Sequence, residues 1–131
     1  MERVAAVRRE GYMHELTMGR HAITVDEPVE NGGEDRGPSP IRLLAGSLAA
    51  CTATTVELYA DRKGWDVGEL EVSVEVEGSL VRGDAAYHVI VDLPGDLSDE
   101  QCRRILTIAG KCPVDKAIAG EFPISVTATE A

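Results

Sequence analysis

The hydrophobic and polar positions of this chain follow two different periods. Between residues 3 and 25, short apolar stretches alternate with polar neighbours, as at Ile23 and Val25, and are interrupted at Gly11 and Gly19. Segments 3–9, 12–17 and 20–25 are therefore predicted to be strands of an N-terminal meander. Residues 26–39 are broken by Gly, Pro and acidic side chains and read as a loop. At Ser39 and Pro40 the pattern changes to that of a helix, with a suitable N-cap followed by a proline at the first helical position. Arg62 and Lys63 before Gly64 supply cations and a stop at the other end. A helix over about 40–63 would be roughly 36 Å long, close to the diameter of a domain of this size. From Leu43 to Val56 no residue is charged. A helix apolar on every side needs cover from more than one direction, which one small sheet does not supply, so a second subunit is expected against it.

Further along, Leu70, Val72, Val74 and Val76 alternate with glutamates, and Tyr87, Val89 and Val91 continue the period after Gly83-Asp84. These segments predict a hairpin over 69–93 with an acidic outer face. Ser98 and Gln101 have the spacing of a capping box, and Cys102, Ile105, Leu106 and Ala109 then share one face of a helix over about 99–111. Pro113 opens a short third helix, and Ile124, Val126 and Ala128 predict a closing strand over about 122–128. The chain reads as one domain over residues 1–131.

Composition narrows the function. Aromatic residues make up only 4% of the chain, so its core must be built from Val, Leu, Ile and Ala. A formal charge of −10 argues against nucleic acid as a partner, because such binding neutralises phosphates with Lys and Arg. The pairs Arg8-Arg9 and Arg103-Arg104 still leave room for a local cationic pocket. The N-terminus lacks the apolar stretch of a signal peptide, and the uncharged run is shorter than the roughly 20 residues of a membrane span. A cytoplasmic location with no membrane partner is expected, where cysteines serve more often as buried, catalytic or metal-binding groups than as disulfides.

Three cysteines carry the candidate chemistry. Cys51 lies in the uncharged helix with Leu44, Leu48, Thr55 and Leu58 on its face, and reads either as a small buried hydrophobe or as a thiol activated by a cation from elsewhere in the fold. Cys112 precedes Pro113 at a helix start, where unpaired amides favour a thiolate; an inert N-cap is the competing reading. Cys102 is assigned to the core. His14, His21 and His88 are scattered over predicted strands without metal-ligand spacing, so neither a metal nor another cofactor is expected. Gly32-Gly33 stands in an acidic loop unsuited to phosphate, and no nucleophilic serine motif is present.

The segments His21–Pro28, Gly32-Gly33, Gly37–Pro40, Leu48–Thr52 and Lys111–Val114 resemble the OsmC/Ohr family of thiol peroxidases, and the similarity runs from about residue 10 to the C-terminus. The resemblance implies an α+β fold, with a long central helix, a second helix and antiparallel sheets, in an intertwined homodimer with active sites at the subunit boundary. It implies that Cys51 attacks an organic hydroperoxide and that Cys112 resolves the resulting sulfenic acid as a disulfide. A dithiol or thioredoxin-like reductant then reopens that disulfide. It also implies an arginine beside the thiol, carried here by Arg9 with Arg8 as its competitor. Family members place a glutamate just after the helix-opening proline, where this chain has Ile41 and Arg42. Glu10, Asp26 and Glu27 are the carboxylates considered in its stead. The alternative reading is a stress-associated protein of the same fold that binds small apolar ligands with weak or no peroxidase activity.

Overall fold

Glycines in the left-handed region close the two turns of the N-terminal meander, Gly11 at φ 56° and Gly19 at φ 60°. A side chain at either position would be strained, which explains why glycine punctuates the pattern there. The strands are β1 (Val4–Glu10), β2 (Met13–Met18) and β3 (His21–Val25), paired antiparallel in the order β1-β2-β3. In the register Val7 faces Glu15 and Arg8 faces His14, while the pairing shifts between Arg8 and Glu10 so that Arg9 occupies a bulge. β1 is exposed along its entire length.

The computed structural model describes residues 2–129. The single domain read from the sequence is built as two compact units, Met1–Ala45 and Gly46–Ala131. The acidic loop of the first unit is more ordered than its composition implies. It contains a single 3-10 turn, Val29–Asn31, and is organised around Asp26, which is 2% exposed. The Asp26 carboxylate accepts hydrogen bonds from the backbone amides of Glu27 (2.8 Å), Glu34 (3.2 Å) and Arg36 (3.3 Å). Gly37 runs so close to β3 that a Cβ there would lie 2.2 Å from the Thr24 carbonyl oxygen.

α1 runs from Pro40 to Lys63. The Ser39 hydroxyl accepts from the Arg42 amide at 3.2 Å, the N-cap geometry that satisfies one orphan donor of the first turn. At the other end Gly64 adopts φ 70°, its amide donates to Asp61 (3.2 Å), and the Trp65 amide donates to Ala60 (2.9 Å). Together these bonds form a Schellman closure. Leu48, Thr52, Val56 and Ala60 are the buried residues of α1 and form a stripe at four-residue spacing. Leu58, placed by the sequence on the Cys51 face, is 57% exposed. By length and composition alone α1 also qualifies as a membrane-crossing helix.

In the second unit β4 (Glu71–Glu77) and β5 (Ala86–Asp92) form the hairpin, with Val72 opposite Val91, Val74 opposite Val89 and Val76 opposite Tyr87. The connecting turn is fastened by Asp84, which accepts from the Ser79 amide at 2.8 Å. α2 (Asp99–Ala109) starts with the full capping box: the Ser98 oxygen accepts from the Gln101 amide at 3.1 Å, and the Gln101 side chain accepts from the Ser98 amide at 2.8 Å. Val56, Ile105 and Ala109 form the core, with Tyr59, Trp65, Leu70, Val91 and Leu97 around it. The Tyr59 and Trp65 rings meet edge to face at 5.6 Å. Leu106, grouped with the apolar face of α2 from its spacing, is 52% exposed.

α3 (Pro113–Ile118) follows, the third α-helix among the described residues. The closing strand expected over 122–128 is not formed: the segment is irregular, and Ile124 and Val126 are 91% and 90% exposed. Its alternation is that of a strand, but a strand exists only against a neighbouring backbone, and this segment pairs with none among the described residues.

Candidate functional site

Cys112 is positioned by backbone geometry. It is the N-cap of α3, at φ −70° and ψ 148°, and Pro113 occupies the first helical position. Its sulfur, on a residue with no solvent exposure, takes the role normally filled by a serine or aspartate oxygen and accepts from the Asp115 amide at 3.2 Å. A second donor comes from α1, where the Thr52 hydroxyl points at the Cys112 sulfur from 3.7 Å. Thr52 belongs to the buried stripe, whereas the adjoining Cys51 lies at its margin and is partly exposed. The structure therefore joins the Cys-Pro cysteine to α1 through the residue next to Cys51, whose Cα is about 3.8 Å away along the chain. Both cysteines are free thiols within the second unit. Cys102 is also free and only partly buried.

Arg9 and Arg8 lie in the first unit. Arg8 donates through Nε to the Gly11 carbonyl at 2.9 Å, fastening the β1–β2 turn. Arg9, on the bulge, donates through Nη2 to Glu15 Oε2 at 3.3 Å. Glu15, the partner of Arg9, faces Val7 in the register, so Arg9 reaches across from the neighbouring strand to a carboxylate two positions along the same face. Sequence reasoning missed Glu15, because the register between β1 and β2 that sets the two side chains side by side is not written in either strand's own pattern. Two of the three carboxylates considered from the sequence, Glu10 and Asp26, have other engagements. Glu10 stands 3.6 Å from Arg36, and Arg36 also pairs with Glu34. Asp26 holds the loop amides.

Burial acts to raise the Asp26 pKa, but the amides of Arg36, Glu27 and Glu34, aided by the Arg36 charge, outweigh it and hold the carboxyl below its usual range. Asp84 is lowered by the Ser79 amide and then by the Arg82 guanidinium. Both shifts belong to loop architecture. Among the described residues no cluster of three or more His, Cys, Asp or Glu is arranged to hold a metal ion. His14 contacts the Tyr12 carbonyl at 2.9 Å and His88 pairs with Glu77 at 3.3 Å.

The family described as OsmC-like protein matches residues 32–127, a span that includes both Cys51 and Cys112. This chain belongs to the OsmC-like family. Its α+β fold, with antiparallel sheets, matches solved OsmC and Ohr structures. A structure from Psychrobacter arcticus, named for osmotic stress induction and detoxification response, superposes with a TM-score of 0.76 at 23% identity, covering 87% of this chain and 85% of that one. The OsmC like protein of Mycoplasma pneumoniae gives 0.71 at 22% identity over 92% and 88% of the two chains. The organic hydroperoxide resistance protein OhrB of Bacillus subtilis gives 0.62 at 25% identity over 92% and 91%. Comparison with curated protein sequences gives no match. The family thus includes organic hydroperoxide resistance proteins, which links this fold to peroxide-related stress.

Proposed function

We propose that this member of the OsmC-like family is a cytoplasmic, homodimeric thiol peroxidase that reduces organic hydroperoxides through Cys51 and Cys112. The observation that carries this reading is the Thr52–Cys112 contact of 3.7 Å, which sets the buried thiol against α1 beside the partly exposed one. An accessible thiol suits the attack on substrate, and a shielded one suits the resolution that follows. The Cys51 thiolate attacks the terminal oxygen of the hydroperoxide, the O–O bond breaks, and the alkoxide leaves and takes a proton to become the alcohol. The resulting Cys51 sulfenic acid then reacts with the Cys112 thiol, forming the disulfide and releasing water. A dithiol or thioredoxin-like reductant reopens it by exchange, becoming a disulfide itself.

The family resemblance nominates Arg9 as the cation for the peroxidatic thiolate, and Glu15, with which Arg9 pairs, is the carboxylate available to orient it in place of one at Ile41 or Arg42. A guanidinium held by a carboxylate is pre-organised to stabilise negative charge on sulfur or on the leaving oxygen. Dimerisation is supported by surfaces that one chain leaves bare. These include the exposed β1, the uncovered sides of α1, and the alternating Phe122, Ile124 and Val126. The same uncovered helix is read here as buried between subunits and not as a membrane span.

Mass spectrometry after one equivalent of an alkyl hydroperoxide tests the mechanism. A Cys51–Cys112 disulfide is expected in the wild type. Cys51→Ser is expected to abolish peroxide consumption, while Cys112→Ser completes one turnover and accumulates sulfenic acid trappable by dimedone. Full steady-state turnover by the Cys51 variant would overturn the assignment. The second reading, a ligand-binding protein without efficient peroxidase chemistry, is favoured by Ile41 and Arg42 where the family carries a glutamate. Absence of the disulfide, with both thiols overoxidised instead, would select it.

A further inference from the structure

Threonines inside a helix commonly turn their hydroxyls back on their own backbone. Thr54 does so, donating to the Ala50 carbonyl four residues earlier at 2.9 Å, and Thr107 donates to the Arg103 carbonyl at 3.1 Å. Thr52 behaves differently. Its hydroxyl, on a residue only 1% exposed, reaches from α1 to the Cys112 sulfur, 60 positions along the chain, at 3.7 Å. That length suits sulfur, a larger and weaker acceptor than oxygen. Both residues lie in the second unit and both are buried, so the bond is shielded from solvent. The other donor to this sulfur is the Asp115 amide at 3.2 Å, a backbone group that any sequence supplies. Thr52 is the side chain that the sequence has chosen.

We propose that Thr52 is a positioning residue for the resolving thiol: its hydroxyl tethers the Cys112 sulfur to α1 and stabilises the charge on that sulfur as it attacks the Cys51 sulfur. The inference rests on the assignment of Cys112 as the resolving thiol and adds the group that makes a wholly buried sulfur reactive. In the step concerned, the Cys112 sulfur bonds to the sulfur of the Cys51 sulfenic acid and the S–O bond breaks. Hydroxide leaves and takes up the proton given up by Cys112, so that water is released. Burial by itself opposes negative charge on the attacking sulfur. A donor aimed at an anion bonds more strongly than one aimed at a neutral group, so the hydroxyl contributes most where the charge is greatest. The tether works in the same direction. Cys51 adjoins Thr52 on α1, and a sulfur already held at that helix has less freedom to lose before it attacks. Thr52 acts through Cys112 and forms no covalent bond itself.

Thiol exchange reads this step without peroxide. In a Cys102→Ser background, Cys51, the more accessible of the two remaining thiols, attacks dipyridyl disulfide, keeps one pyridyl thiol and releases the other. Cys112 then attacks the Cys51 sulfur, closing the Cys51–Cys112 disulfide and releasing the second pyridyl thiol, and absorbance follows both releases. Thr52→Val exchanges the hydroxyl for a methyl group. It is expected to slow the second release about 3- to 10-fold, the loss of one hydrogen bond, with the first release within about twofold of wild type. Thr52→Ala, a second variant without the hydroxyl, should follow Thr52→Val, and Thr52→Ser, which restores it, should recover most of the second rate. After one equivalent of an alkyl hydroperoxide, Thr52→Val should prolong the dimedone-trappable Cys51 sulfenic acid by the same factor. A second release at the wild-type rate in Thr52→Val, equal slowing of both releases, no recovery in Thr52→Ser, or no second release from wild type would each overturn the proposal. The exchange assay also separates this proposal from the peroxidase reading. A selectively slowed second release, in a protein whose thiols form no disulfide with hydroperoxide, would remove the peroxidase reading and keep the role of Thr52. A peroxide-induced disulfide that forms in Thr52→Val at the wild-type rate would keep the peroxidase reading and remove that role.

Discussion

At the scale of single residues, the organising device is a polar atom supplied to a backbone that lacks a partner. Cys112 caps α3 with sulfur, Ser39 caps α1 with oxygen, and Asp26 collects three amides of the acidic loop. Asp26 has the clearest consequence in solution. Its carboxyl titrates below the ordinary value of about 3.9 in the folded state, so the ionised form is favoured by folding. The stability it contributes is complete above pH ~4 and is lost as pH falls through the lowered folded value. Asp84 contributes in the same direction through the Ser79 amide. Asp26→Asn removes the charge and turns an amide donor toward donors already present. The variant is expected to be less stable at neutral pH and to show a flatter decline in melting temperature below pH ~4 than wild type. Parallel acid profiles for the two proteins would place the loop's order elsewhere.

At the scale of elements, the hydrogen bonds that begin and end helices are local, whereas what covers them is not. α2 shows the separation. Its capping box joins Ser98 to a residue three positions away, but its packing depends on Ile105 reaching Val56 of α1. Ser98→Ala is expected to cost about 1 kcal/mol, the usual value of an N-cap. Ile105→Ala, at a residue with no exposure, is expected to cost about 2–5 kcal/mol through lost burial and a residual cavity. Urea denaturation of the two variants measures both. Equal losses would mean that the cap and the core contribute alike to holding this helix in place.

For the whole molecule, the exposed apolar surface is the dominant fact. Val4 and Val7 on β1, and Phe122, Ile124 and Val126 near the C-terminus, are more solvent-accessible than such residues are in a finished fold. The proposed homodimer, of twice the 14.0 kDa chain mass, would cover them, and sedimentation equilibrium is expected to find that mass. Ile124→Asp combined with Val126→Asp puts two charges into the alternating segment and is expected to shift the equilibrium toward monomer. Peroxidase activity should fall in the same proportion if the sites are completed at the subunit boundary. A stable dimer in the double variant would show that residues 122–128 lie outside the interface.

The amino-acid sequence by itself determined every feature whose physics closes within a few positions. Ser39 with Pro40, Gly64 after Arg62-Lys63, the Ser98–Gln101 box and Cys112 before Pro113 are caps and stops, and each lies in the structure where local chemistry places it. The motifs around Cys51 and Cys112 likewise made the family legible, because the residues that carry them are short and contiguous. Tertiary structure decided what depends on distant backbone. It turned Thr52, not Cys51, toward the Cys112 sulfur, since helix rotation is set by what packs on the stripe from Leu48 to Ala60. It paired Arg9 with Glu15 across β1 and β2, and among the described residues it left the Tyr87 hydroxyl without a partner and 122–128 unpaired despite an alternating pattern. Periodicity records which side chains avoid water, but a pairing, a bulge or an orphaned hydroxyl exists only once another segment has come to rest beside it.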